Sequence, residues 1–214
     1  MSTLRNAWKV PELRKRIIFT FLMVAIIRMG NHIPVPGIDT DALKSLAKAG
    51  TLFSFYDLMS GGALSSFSIF AMGVVPYINS SIIFQLLTIA IPSLEQLSKE
   101  GEEGRKKIQK YTRYAAVVLG ALQSFGTYAL MRNYGAVPNL GKFDVFLIVL
   151  TLTTSSIFLM WLGDQITVKG IGNGVSLIIY INILSRLPQE VLKIASLQET
   201  EAVSIVQIAL LLIF

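Results

Sequence analysis

Few side chains in this chain could carry out covalent or metal chemistry, and their spacing fits none of the familiar arrangements. There is one histidine, His32, and no cysteine. A metal-activated water of the H-E-x-x-H kind needs two imidazoles one helical turn apart, and a disulfide framework needs paired thiols. Neither can be built from these residues. His32 sits beside Pro34 and Pro36 with no partner nearby for a catalytic or ligand role, and no G-x-S-x-G elbow presents a serine nucleophile. Gly135 to Lys142 superficially resembles a phosphate loop, but Phe143 stands where a magnesium-binding hydroxyl belongs and the two glycines are one residue too far apart. GIGNG at 170–174 misses the dinucleotide-binding spacing, since Val175 occupies the last glycine position. No cofactor, metal or catalytic residue is expected.

What remains is physical rather than covalent chemistry. Val74 and Ile78 stand at i and i+4, and so do Val175 and Ile179, so each pair shares one helix face. A ring of short branched side chains makes a hydrophobic constriction that excludes water and ions yet yields to something larger. Taken alone the pattern is weak, because such pairs are also how membrane helices pack. Gln85 and Gln123 are polar enough to meet across a helix interface. Arg28, inside an apolar run, is read as snorkelling outward past Gly30 and Asn31.

The elements that must position these residues are membrane spans. Charged residues make up 15% of the 214-residue chain and hydrophobic ones 53%, against roughly 25% charged in an ordinary soluble domain. Apolar runs long enough to cross the hydrocarbon fall near 17–36, 68–91, 114–131, 143–162 and 174–188. A sixth begins at Ser204 and reaches Phe214, the last residue, too short to cross, so the chain reads as ending inside a span. The net charge of +6 is distributed by side. Arg5, Lys9, Arg14, Lys15, Arg16, Lys99, Arg105, Lys106, Lys107, Lys110, Arg113 and Lys169 fall on one side of the spans. Lys44, Lys48, Arg132, Lys142, Arg186 and Lys193 fall on the other. The positive-inside rule then puts the N-terminus in the cytoplasm, and no basic and aromatic interleaving marks a nucleic-acid surface.

Residues 1–16 read as a basic cytoplasmic tail with a short amphipathic helix around Trp8 and Leu13. Residues 39–59 carry Leu43, Leu46, Leu52, Phe55 and Leu58 at helical spacing, an external or interfacial helix broken at Gly50. From Gly61 to Thr88 the run is apolar but interrupted by Gly61, Gly62, Gly73, Pro76 and several serines. In lipid the backbone groups freed by such breaks must find partners inside protein or water. A half-helix over Gly61 to Met72 followed by a helix from Val74 to Ile91 is the natural parse. Residues 93–114 read as a glycine-hinged, mixed-charge cytoplasmic loop. GDQITVKGIGNG at 163–174 reads as a tight, flexible turn. Residues 189–214 form an external stretch and the start of the sixth span.

FSIFAMGVVPYINSSIIFQLLT at 67–88, KEGEEGRKKIQKYTRY at 99–114 and FLMWLGDQITVKGIGNGVSLII at 158–179 resemble the SecY family of protein-translocation channels. IPVPGID at 33–39 and SGGALS at 60–65 match in the same order. The resemblance implies an all-α, polytopic membrane bundle: the N-terminal half of a ten-helix, two-fold pseudo-symmetric translocon with a short re-entrant plug helix at about 62–72. It implies plug residues Gly62, Leu64, Ser65, Phe67, Ile69 and Phe70, and a pore ring at Val74, Ile78, Val175 and Ile179. It also implies a lateral gate near Ile82, Gln85 and Gln123, and cytoplasmic partner contacts at Arg105, Lys106, Lys107 and Arg113. The implied partners are the membrane subunits SecE and SecG, the motor ATPase SecA or a ribosome, signal sequences and nascent polypeptides, the lipid bilayer, and the C-terminal half of the same channel. Two other functions fit the residues alone. A secondary transporter also uses a broken helix at mid-membrane, but needs a charged or polar site that the run from 61 to 88 supplies only as hydroxyls and Asn79. A structural assembly subunit would need no seal at all.

Overall fold

The computed structural model describes residues 10–35, 57, 59–133, 135 and 141–199, with the backbone alone at 187 and 189–199. The amphipathic tail before residue 10, nearly all of the external helix over 39–59 and the sixth span lie outside the described residues.

Six helices are named: α1 Pro11–Gly30, α2 Val75–Ala90, α3 Pro92–Lys99, α4 Glu102–Asn133, α5 Lys142–Lys169 and α6 Gly174–Glu199. No named strand occurs among the described residues, consistent with the all-α class. By length and composition α4 and α5 can each cross a membrane, and α2 with α3 forms a third candidate bent by 100°. The apolar part of α1 is bracketed by Arg16 and Arg28, and the apolar part of α6 ends at Arg186.

Several boundaries differ from the sequence reading, each for a physical reason. Leu13 is not on a separate surface helix but on α1, which runs unbroken from Pro11, a residue suited to a first turn because its missing N–H would be unpaired there anyway. Pro76 starts a helix instead of interrupting one: it lies in the first turn of α2, just after Gly73 at φ 56°. Pro92 does the same for α3 and sets the sharp bend at Ile91. The expected loop after the second span is therefore mostly helix, turning once at Gly101 (φ 79°) before α4. Pro188 stands inside α6, which continues to Glu199 at the cost of one backbone hydrogen bond.

Helix α5 is the hub, packing against α1, α2, α4 and α6. Its buried face alternates small and large residues, among them Leu152, Thr153, Ser156, Leu159, Gly163 and Ile166, and small residues let membrane helices approach closely. The Thr153 hydroxyl lies 3.3 Å from the Ser124 hydroxyl of α4. A Cβ placed on Gly120 would rest 3.7 Å from both Pro76 of α2 and Thr153. Ser80 of α2 donates to the Thr112 carbonyl of α4 at 2.7 Å, fixing the antiparallel register of those two helices. At the far end of the hub, Gly163 and Gly174 meet backbone to backbone, so α6 turns directly against α5.

The GIGNG turn is tight, as expected, and hydrogen-bonded to the helices around it. Arg16 donates to the Gly170 carbonyl at 3.4 Å and the Ile171 N–H donates to the Thr20 hydroxyl at 3.2 Å. The Gly174 N–H donates to the Thr167 hydroxyl at 2.9 Å, and Asn173 caps α6 through the Ser176 N–H at 3.1 Å. Three of these bonds, of about 1 kcal/mol each, hold the turn against α1 and α5, and the fourth caps α6.

Candidate functional site

Between α1 and α2 the chain does not form the expected plug helix. Residues 61–74 are a succession of turns with one residue of isolated β-pairing, Pro34 with Ser68. The Val35 N–H donates to the Phe67 carbonyl and the Ile69 N–H to the Ile33 carbonyl, both at 2.9 Å. The positive φ at Phe67, midway along the stretch, forbids a continuous helix there, and Gly61, Gly62 and Gly73, also at positive φ, mark its two ends. Phe67 also takes a left-handed conformation (φ 41°) while completely buried. Such a conformation costs a non-glycine residue about 1–3 kcal/mol, here offset by burial of a whole phenyl ring, worth about 1.5–3 kcal/mol.

This turn segment is wedged between two apolar clusters. Leu64 and Phe67 enter one with Val35, Ala71, Tyr128, Met131, Ile148 and Leu152. Ala63, Phe70 and Val74 enter the other with Ile27, Leu159, Leu162, Ile166 and Ile178, and Ile69 packs against both. Ile78, Val175 and Ile179 pack, half-buried, against the second cluster. All four expected ring residues therefore belong to or border the cluster that holds Phe70. Their roles are unequal, however: Val74 is only 3% exposed and Val175 faces Gly163, where an added Cβ would sit 3.1 Å from its methyl. Phe70 is held by stacking on Phe158 at 6.2 Å, and Phe158 stacks on Trp161 at 5.8 Å.

Gly30 faces the Phe70 ring so closely that a Cβ would overlap it. Gly30→Ala is expected to cost about 1–3 kcal/mol through overpacking. The same change made in Phe70→Ala should cost almost nothing further, because the obstructing ring is gone. Thermal unfolding in detergent of the two single variants and the double variant checks this. Additive losses would mean that Phe70 is not confined there.

The expected gate residues do not come together. Gln85 is exposed and its amide lies 3.4 Å from the Ser81 hydroxyl of its own helix, while Gln123 Oε1 is buried without a hydrogen-bond partner. The register set by Ser80 and Thr112 places Gln85 and Gln123 in opposite directions along the bundle, on the order of 20 Å apart. Ile82 is 50% exposed. Gln85 instead lines a cleft of about 260 Å³ under the α2–α3 bend, with Tyr77, Phe84, Arg105 and Thr112 among the other walls.

The basic residues also divide. Arg105 and Lys106 are exposed, and Lys107 lies 3.8 Å from Glu100 at the surface. Arg113 is different: it pairs with Asp164 of α5 at 2.9 Å, where Asp164 is largely buried. That makes Arg113 a fastener between α4 and α5 instead of a free contact for a partner.

One constellation escaped the sequence reading. Asp57, Arg186, Asn182 and Arg28 meet beside the turn segment. Arg186 pairs with Asp57, and Arg28 donates to the Ile181 carbonyl of α6 instead of snorkelling into solvent. His32 is spent on the end of α1, bonding the Arg28 carbonyl through Nδ1 at 2.8 Å. Among the described residues no group of three or more His, Cys, Asp or Glu could hold a metal ion.

The SecY family model matches residues 68–214. The chain is 42% identical to protein translocase subunit SecY of Thermotoga maritima over 98% of its own length and 52% of that protein. It is 45% identical to the subunit of the same name from Aquifex aeolicus, covering 89% of this chain and 46% of that one. For the Escherichia coli K12 subunit the identity is 46%, with 83% and 41% covered. The chain thus spans about half the length of the curated relatives it matches. Two solved structures share its fold at TM-score 0.58 and 19% identity, each over 86% of this chain and 41% of the other. One is described as Sec61 in the canine ribosome-channel complex from the endoplasmic reticulum, the other as the structure of a protein conducting channel. With the family model covering more than half of its residues and the fold shared with those channels, this chain belongs to the SecY family.

Proposed function

We propose that the chain supplies the N-terminal half of a protein-conducting channel in the bacterial cytoplasmic membrane, with its N-terminus in the cytoplasm. The channel passes unfolded secretory polypeptides across the membrane and releases membrane segments sideways into it. The observation that carries this reading is the turn segment 61–74, which enters two apolar clusters, the second of which also packs against Ile78, Val175 and Ile179. A buried stretch made of turns, with left-handed glycines at both ends, can leave as a unit without unwinding a helix. Side chains of the seal then part around a client and close again by hydrophobic contact. The chain provides path, seal and gate and has no catalytic role, so energy for transport comes from SecA or a ribosome, with SecE and SecG completing the membrane assembly. Arg105, Lys106 and Lys107 are the exposed basic residues offered to the cytoplasmic partner.

The lateral exit lies along α2, whose outward face carries Ile82, Ile83, Leu86 and Ile89. So much apolar surface on one helix needs lipid, a signal sequence or the second half of the channel against it. A signal sequence that binds the open arrangement better than the closed one shifts the population toward it.

The test uses the absence of cysteine from this sequence. Single cysteines are placed at Ile78 and Ile179 in the full-length protein, with Leu150, half-exposed on α5, as control, and a secretory chain is stalled in transit. Crosslinks to the stalled chain at both seal positions and none at Leu150 are expected. Crosslinking at Leu150 alone, or saturable exchange of a small solute by proteoliposomes lacking any client, would favour a transporter instead.

A further inference from the structure

The buried ion pair of Asp57 and Arg186 joins the start of the turn segment to the end of the described side chains of α6, 129 residues away in sequence. Its side chains are 8% and 17% exposed. Groups of Asp57, Ser60, Gly62 and Ser65 close around it. One Asp57 carboxylate oxygen takes the guanidinium, and the other accepts the Ser65 N–H at 2.7 Å. The Asp57 carbonyl accepts the Gly62 N–H at 2.9 Å and the Ser60 hydroxyl at 3.0 Å. The guanidinium also donates to the Ser65 hydroxyl at 3.2 Å. Gly62 has no side chain, and any Cβ there would lie within 2.9 Å of three guanidinium atoms. The loop from 57 to 65 is therefore folded around the arginine head. One turn earlier on α6, Asn182 lies against Gly61, and the preceding Ile181 carbonyl takes Arg28.

We propose that Asp57 and Arg186 form a latch that holds the plug on α6, and that opening requires this pair to separate. The proposal rests on reading residues 62–72 as the plug. The physical case comes from how ion pairs behave at different dielectric. A buried pair adds little net stability over an apolar one, but removing one partner strands a charge at high cost. The pair is therefore a poor glue and a strict positional lock. Once water reaches it, both ions are solvated and the attraction weakens severalfold. The latch stays shut while the surrounding protein keeps the pair largely out of water and releases when an arriving chain brings water in. Arg186 acts as a positioning residue, since it touches the plug and not the client.

The experiment uses the full-length protein with its partner subunits in proteoliposomes, reading efflux of a small ion with no client present, normalised to the amount of assembled complex. Asp57→Asn and Arg186→Gln should each raise client-free efflux about fivefold or more. The double variant should leak no more than the leakier single, because neither charge is then stranded. Wild-type efflux in both singles, or a double equal to the product of the two, would overturn the latch. A second pair, Ser65→Cys with Arg186→Cys, should leak when free and become tight when bridged by a short bis-maleimide, with translocation then blocked. If the bridged protein still translocates at the wild-type rate, the plug reading itself falls. If bridging blocks translocation while Asp57→Asn and Arg186→Gln stay tight, the latch fails and the plug stands.

Discussion

Gly174→Ala should remove most of the assembled protein from the membrane, with a loss of about 3 kcal/mol or more in folding stability. The added Cβ would overlap the Gly163 carbonyl oxygen and approach the Ile166 Cβ to 2.8 Å. The first obstacle is backbone, which cannot swing aside as a side-chain tip can. Relief requires α5 and α6 to separate, which pulls Val175 and Ile178 from the second apolar cluster and strains the bonds that pin the GIGNG turn. Gly126→Ala is the matching control, because nothing lies within 4 Å of the Cβ it would add. Membrane abundance and the melting midpoint in detergent separate the two variants. Equal stability would show that the α5–α6 approach is looser than described.

The second large effect concerns the seal. Replacing both Ile78 and Ile179 by serine should raise client-free ion efflux of the full-length protein more than tenfold. These two are half-buried, so their loss costs less in folding than loss of the fully packed Val74. Each hydroxyl offers water a hydrogen-bonding foothold in a constriction that excluded it by being apolar. Ile82→Ser, one turn further along α2 and half-exposed, should leave efflux near the wild-type level. If Ile82→Ser leaks as much as the pair, the leak reflects general loosening of α2 and the seal lies elsewhere.

The helices themselves were legible because long apolar runs announce them. The apolar composition of 61–74 was equally plain, but not its conformation. Glycine and serine weaken a helix by amounts that tertiary contacts can offset, and what decides for turns is the positive φ at Phe67 in mid-segment, with those at Gly61, Gly62 and Gly73 at its ends. Proline misled in a consistent way. Read as breakers, Pro76 and Pro92 are first-turn residues, and the structural break falls just before each. The resemblance named Val74, Ile78, Val175 and Ile179, and they do share one cluster. Gln85 and Gln123 shared only polarity, and pairing them required a register that sequence does not contain. Arg113 was taken for a surface charge because its partner, Asp164, lies 51 positions away on another helix. Asp57 and Arg186 were hidden for the same reason. Asp57, a charge with no opposite neighbour within one helical turn inside a largely apolar stretch, is the signal that could have marked the pair, whereas Arg186 has Glu190 four residues on.

The short pairing of 33–35 with 67–69 bears on how the segment can change over evolutionary time. Its two bonds use the backbone N–H groups of Val35 and Ile69 and the carbonyls of Phe67 and Ile33. Backbone bonds are indifferent to the side chains that accompany them, so a lineage could rewrite the exposed Ile33 and keep the anchorage. Proline is the exception, since it has no N–H to give. In IPVP the two prolines occupy positions 34 and 36, on either side of the one nitrogen that must donate. The motif places proline at 34, whose nitrogen gives no bond to the partner stretch, and spares 35, where proline would cut the tie. Whatever the side chains do, proline is excluded at two nitrogens, those of residues 35 and 69.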